Sequence, residues 1–174
     1  MQIEVERLDE RGEAFSHTYG KEELSLDDET ARLASEARVA GRASMKGSEV
    51  RLRGTLSTQV EVYCDRCAAA VVAPLEIEFD TSFLPAEVEK AAVENVELQK
   101  DDLIRSVYEG GAVDLDELAR EQILLALPTR TLCREECRGL CPECGANLNA
   151  GECDCARKEI DPRWAALADL KKDE

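Results

Sequence analysis

Apolar and polar residues alternate from Val50 to Tyr63. Val50, Leu52, Gly54, Leu56, Thr58, Val60 and Val62 fall on one side, and Arg51, Arg53, Thr55, Ser57, Gln59, Glu61 and Tyr63 on the other. A period of two is that of a strand with one buried face. The alternation breaks at Cys64-Asp65-Arg66-Cys67 and resumes through Val71, Ala73, Leu75, Ile77, Phe79 and Phe83, with Glu76, Glu78, Asp80 and Ser82 between them. Pro74 has no amide hydrogen to give a neighbouring strand, which predicts an edge or a bulge early in this second strand. Val39–Met45 reads as a third strand, turning at Lys46-Gly47-Ser48. Together they predict an antiparallel meander or partial barrel with Cys64 and Cys67 at the tip of its longest hairpin.

Residues 84–102 are acidic, carry Pro85 near their start and have no β-branched run, so a long, mobile surface connection is expected. Leu103–Tyr108 reads as a further strand ended by Glu109-Gly110-Gly111. A helix is predicted over 114–127. Asp114 caps it, Glu117 stands at the capping-box position, and Leu115, Leu118, Ala119 and Ile123 share a face. Pro128 stops it. The apolar run from Ile123 to Leu127 predicts a deeply buried last turn. A second, short helix is expected at the C-terminus, with Asp161 as cap, Pro162 as first residue and Lys171 and Lys172 in its last turn. The fold class is therefore α+β, an antiparallel sheet with one central helix. A β-rich core domain over 1–129 is followed by a cysteine-rich, zinc-knuckle C-terminal module over 130–174, packed on that core and ending in the short helix.

The eight cysteines form four close pairs: Cys64 with Cys67, Cys133 with Cys137, Cys141 with Cys144, and Cys153 with Cys155. Two thiolates a turn apart can face one ion, and a tetrahedral zinc site needs two such pairs. Cys141-Pro142-Glu143-Cys144-Gly145 is the most specific motif. Proline presets one dihedral of the turn, and glycine accepts the backbone angle that turns amides toward sulfur. The Cys64–Cys67 turn follows the same logic with Ala68 in place of glycine. One or two zinc ions follow. The preferred division joins Cys64 and Cys67 with Cys133 and Cys137, and Cys141 and Cys144 with Cys153 and Cys155. An alternative joins Cys133, Cys137, Cys141 and Cys144 and leaves Cys64 and Cys67 as a dithiol. Three other readings remain: inert buried thiols, a redox pair at Cys64 and Cys67 with Arg66 lowering a thiol pKa, and an iron–sulfur cluster on Cys133, Cys137 and Cys141.

Charge narrows the partners. The formal net charge is −16, with 22 basic and 38 acidic side chains. Residues 130–174 hold 8 basic and 10 acidic residues, so 1–129 hold 14 and 28, a net of −14. Binding to nucleic acid is driven by cations displacing counterions, so the body is not expected to grip RNA by itself. A basic protein partner, or contact through the near-neutral C-terminal part, fits better, and a direct RNA-binding module is a third reading. No apolar run reaches the roughly 20 residues that cross a bilayer, and the N-terminus lacks a basic start followed by an apolar stretch. A cytoplasmic location is expected, with no membrane and no small-molecule substrate. The single histidine, His17, lies in a polar stretch. No nucleophile elbow, phosphate loop or dinucleotide glycine pattern occurs. A closed four-thiolate site leaves no open coordination position, which argues against an enzyme.

The order of segments resembles the YceD family, the large ribosomal RNA subunit accumulation proteins. The resemblance rests on Cys64-Asp65-Arg66-Cys67, Glu121–Pro128, Cys137-Arg138-Gly139-Leu140-Cys141-Pro142-Glu143-Cys144-Gly145 and Asp161-Pro162-Arg163-Trp164, and spans roughly residues 35–172. It implies a bacterial cytosolic protein supporting 23S ribosomal RNA accumulation and large-subunit biogenesis, without a known reaction. The expectation is a non-enzymatic zinc protein that contacts a ribosomal protein or assembly factor, with Arg163 and Trp164 as candidate partner-binding residues. The alternative is a Cys-x-x-Cys oxidoreductase or a zinc-transfer protein.

Overall fold

The computed structural model describes residues 1–86, 105–155 and 163. Among these residues eight strands are present: β1 Gln2–Glu4, β2 Glu13–Tyr19, β3 Arg32–Leu33, β4 Ala37–Lys46, β5 Glu49–Tyr63, β6 Ala70–Pro85, β7 Arg105–Tyr108 and β8 Ala112–Asp114. A 3-10 turn, Val5–Arg7, follows β1, and helix α1 covers Leu115–Leu125. The main sheet runs β2-β4-β5-β6-β7, with β3 pairing β5 beside β4. β1 and β8 form a separate ribbon. The fold among the described residues is thus mostly β-sheet with one helix.

The β4–β5–β6 meander follows from the alternation. Val50, Leu52, Leu56, Val60 and Val62 are buried on one face of β5, joined by Val39 and Ala43 from β4 and by Leu75, Phe79 and Phe83 from β6. Among the described residues Pro74 pairs with Gln59 on one side only, since β7 lies against β6 only from Ser82 to Pro85. That edge position is where a residue without an amide hydrogen fits.

One rung of the sheet has an unusual make-up. Phe15 on β2 pairs with Gly41 on β4, Gly41 with Gly54 on β5, and Gly54 with Phe79 on β6. A Cβ added to Gly41 would stand 2.3 Å from the Arg53 carbonyl and 2.8 Å from the Phe15 ring. One added to Gly54 would stand 2.3 Å from the Ala40 carbonyl and 2.8 Å from the Phe79 ring. The two rings occupy the space that side chains at the glycines would take, so β4 and β5 approach closely at mid-length.

Two features differ from the sequence reading. β7 is parallel to β6, so the sheet is not antiparallel throughout as expected. Residues 86–104 separate the two, enough chain for the crossover that a parallel neighbour requires. Asp114 caps α1 as expected, accepting from the amides of Asp116 and Glu117. The helix, however, ends at Leu125 rather than 127, and Leu125 is 80% exposed. Leu115, Leu118, Ala119 and Ile123 form the buried stripe, and Leu125 falls on the opposite face, because a stripe of period 3.6 cannot bury every residue of an apolar run. β1 and β8 hold the start of the chain against α1. There the Tyr19 hydroxyl donates to Asp116 Oδ1 at 2.8 Å, and the terminal amine also bonds that carboxylate. The expected C-terminal helix and most of the 84–102 connection lie outside the described residues.

Candidate metal centres

The sulfurs of Cys64, Cys67, Cys133 and Cys137 all lie within 4.8 Å of one another, and so do those of Cys141, Cys144, Cys153 and Cys155. These are the groups that the preferred division gave; Cys133 and Cys137 do not join Cys141 and Cys144. Cys64 Sγ is 3.8 Å from Cys137 Sγ, and Cys67 Sγ is 3.6 Å from Cys133 Sγ. Four sulfurs around one ion at about 2.3 Å sit about 3.8 Å apart, whereas a disulfide would bring two to about 2.05 Å. The spacing therefore suits a tetrahedral four-thiolate ion.

The two cysteine turns share one backbone construction. The Cys64 carbonyl accepts from Ala68 N at 2.8 Å while Cys64 N donates to Ala69 O at 2.8 Å. The Cys141 carbonyl accepts from Gly145 N at 2.9 Å while Cys141 N donates to Ala146 O at 2.8 Å. The fifth residue of each turn is left-handed, Gly145 at φ 73° and Ala68 at φ 54°. This conformation turns amides onto the leading sulfur. The Cys133 amide, followed by those of Arg66 and Cys67, draws the Cys64 thiol down to about 6 against the penalty of burial. The amides of Cys144 and Glu143 draw Cys141 down to about 7. Cys67, Cys133, Cys153 and Cys155 move the other way. Cys133 is pushed up to about 12, first by the neighbouring Cys67 sulfur and then by burial, and Cys155 to about 12, first by Cys144. Each group thus holds at least one thiol below its ordinary value and at least one well above it, and the latter keeps its proton until a cation offsets the crowded sulfurs.

The residues between Cys64 and Cys67 fasten the hairpin tip to the chain after α1. Asp65 N donates to the Thr131 carbonyl at 2.9 Å, and Thr131 N donates to Asp65 Oδ2 at 2.6 Å. Arg66 Nη1 donates to the Cys137 carbonyl at 2.8 Å, and Leu140 N donates to the Arg66 carbonyl at 3.0 Å. Arg66 therefore serves as a clamp on the 133–140 segment. Cys64 and Cys137, each 2% exposed, pack with Cys67 against Ala69, Val71 and Leu132. The second group is more open, with only Cys141 buried and both Cys144 and Cys155 exposed.

Asn149, which sequence reasoning did not single out, links the two groups. Its Nδ2 donates to Cys137 Sγ at 3.3 Å, and its Oδ1 accepts from Arg138 N and Arg134 Nη2, each at 2.8 Å. The Asn149 bond is the leading reason that the Cys137 thiol lies below its ordinary value. The available signal was Asn147-Leu148-Asn149 between two cysteine pairs, where an amide donor is within reach of a thiolate. Of the candidate partner-binding residues, Arg163 is exposed, and Trp164 lies outside the described residues.

The family model described as "Large ribosomal RNA subunit accumulation protein YceD" matches residues 52–171. The Bacillus subtilis protein YlbN, described as uncharacterized, is 28% identical over 159 residues, covering 91% of this chain and 87% of its own. An uncharacterized protein of Mycobacterium tuberculosis is 33% identical over 121 residues, 70% of this chain and 55% of its own, so the chain spans about half of that relative. The chloroplastic YCED homolog 1 of Arabidopsis thaliana, named as a large ribosomal RNA subunit accumulation protein, is 24% identical over 147 residues, 73% of this chain and 46% of its own. No solved structure matches the chain.

Proposed function

The chain belongs to the YceD family, and on that premise we propose that it is a cytoplasmic, non-enzymatic zinc protein supporting large-subunit ribosomal RNA accumulation. Cys64, Cys67, Cys133 and Cys137 would hold one ion, and Cys141, Cys144, Cys153 and Cys155 a second, each turn acting as a zinc knuckle. The observation that carries the reading is the first sulfur group, where a hairpin tip and a segment 66 or more residues later meet at the separation that one ion sets. Four protein thiolates close the coordination sphere, so the ion would fasten structure and leave no position for substrate. The C-terminal module over 130–174 would be pinned to the sheet of 1–129 in this way. The family description and the Arabidopsis relative's name support the ribosomal context. With −14 on residues 1–129, a basic ribosomal protein or an assembly factor is the partner proposed for the acidic surface.

Two measurements test this reading. Elemental analysis of chain purified without chelator should give two zinc ions per chain, and a chain that is folded with no transition metal overturns the metal assignment. In a bacterial strain lacking its own family member, the chain should restore 23S ribosomal RNA levels, and Cys64→Ser with Cys67→Ser should not. Full restoration by that variant would overturn the structural role of the first ion.

A further inference from the structure

We propose that the solvent face of the sheet around the β4–β5 turn is a docking surface for an RNA phosphate backbone, a site separate from both cysteine groups. Arg42 and Lys46 on β4, Arg51 and Arg53 on β5, and Arg11 from the preceding loop line one groove of about 630 Å³. Two carboxylates, Glu10 and Glu49, also line it. This cationic cluster stands on a chain of net charge −16, so the local excess runs against the overall field.

The arrangement carries a cost that folding alone does not explain. Arg42 and Arg53 are direct partners across β4 and β5, and like charges placed opposite one another destabilise a sheet. One carboxylate, Asp80, offsets Arg53 but makes no ion pair with Arg42 among the described residues. It already accepts from Arg51 at 2.6 and 2.8 Å and stands 2.8 Å from Arg53. Arg42 is held by the carbonyls of Arg11 and Gly12, which fixes its direction without neutralising it. Arg11 and Lys46 enter no ion pair among the described residues. Guanidinium forks on a rigid sheet, with two unpaired cations at the rim, match phosphates repeated along a backbone. Among the described residues the groove has no aromatic lining, so bases would not stack there, and backbone contact without sequence choice is the mode that fits.

The test is fluorescence anisotropy of a labelled RNA hairpin titrated with full-length, metal-loaded chain over a salt series. Three or so phosphate contacts give a slope of about −2 to −3 in log K against log salt. Arg11→Glu with Lys46→Glu should weaken binding at least tenfold and flatten the slope. Lys21→Glu with Arg130→Glu makes the same change in net charge at exposed positions off the groove and should weaken it less than threefold. Asp80→Asn, which releases Arg51 and Arg53, should tighten binding about threefold with a steeper slope. Equal weakening by both charge-reversal pairs, or absence of binding at low salt, overturns the proposal. Displacement of the RNA by polyglutamate at equal charge concentration also overturns it, in favour of an acidic protein partner. None of these outcomes depends on whether the chain restores ribosomal RNA in cells.

Discussion

Ala68→Gly should stabilise the protein, and Gly145→Ala should destabilise it. The two residues hold equivalent places in two turns with the same backbone hydrogen bonds, and both are left-handed. An L-residue in that region carries roughly 1–2 kcal/mol of steric cost. Glycine avoids this but loses about 0.5–1 kcal/mol more conformational freedom on folding. The difference leaves Ala68→Gly about 0.5–1 kcal/mol more stable, which for a chain of this length is a rise of roughly 1–4 °C in Tm. Gly145→Ala should shift Tm by a similar amount downward. A Cβ added at Gly145 meets nothing within 4 Å, so the comparison isolates backbone conformation. Thermal unfolding must be run at saturating, equal free zinc, because metal binding adds to apparent stability. An unchanged or lower Tm for Ala68→Gly, with Gly145→Ala behaving as expected, would refute the equivalence of the two turns. Gly139→Ala should cost more than Gly145→Ala, since its added Cβ would stand 2.9 Å from the Arg66 carbonyl that receives Leu140 N.

Other consequences follow from the sheet, the helix cap and the exposure of the sulfurs. Gly41→Ala should lower stability by about 3 kcal/mol in urea unfolding, because its Cβ would meet a backbone carbonyl that cannot move without parting β4 from β5. The Asp116 carboxyl is raised by burial but held below its ordinary value of 3.8 by bonds from the terminal amine and Tyr19. A carboxyl lowered on folding contributes stability that is present above its ordinary value and lost as pH falls through the lower, folded one. The difference in urea midpoint between the parent chain and Asp116→Asn should therefore shrink as pH falls below about 4. It is the difference that reports on Asp116, because protonation of the thiolates would release the proposed metal as pH falls. On the proposed two-ion reading, a competing chelator should remove the ion of the 141–155 group first, since two of its four cysteines are exposed against one in the other group. Single-phase release of both ions would contradict that order.

What the sequence made legible was local. The alternation along β5 and β6 named the buried face, because one-residue slips would move every apolar side chain into water. The cysteine pairs, with only one to three residues between the members of each, announced themselves for the same reason. Non-local partners were hidden. Glu13–Tyr19 forms a strand, yet most of its residues are not buried, so it carried no strong apolar signal. Gly54 read as one more core position, and only pairing revealed it as half of a Gly–Gly contact roofed by Phe15 and Phe79. The cationic groove escaped for the same reason. Net charge averages over the surface, while Arg11, Arg42, Lys46, Arg51 and Arg53 converge only once the loop and two strands are folded. Asp65, Arg66 and Asn149 were visible as residue types, but their roles depend on the segments they reach.

The two sulfur groups are not independent, and Asn149 is the reason. It lies in the chain between Cys144 and Cys153, so an ion in the second group would fix its position, yet its amide donates to Cys137 in the first. The same side chain receives Arg134 and Arg138, which tie the 133–138 segment to that loop. Loss of the outer ion would release the loop, withdraw the donor from Cys137 and weaken the inner site. A donor to a ligating group typically governs 10–100-fold in metal affinity. Asn149→Ala should therefore weaken the inner ion by about that factor while leaving the outer one in place. Cys144→Ser with Cys155→Ser, which dismantles the outer group, should weaken the inner ion at least as much. Competition with a chromophoric chelator, read with one ion left per chain, measures both. If the double variant holds its inner ion as tightly as the parent while Asn149→Ala does not, the loop is held by its backbone bonds, such as Leu148 N to Gly139 O at 2.9 Å, and the outer ion serves another purpose.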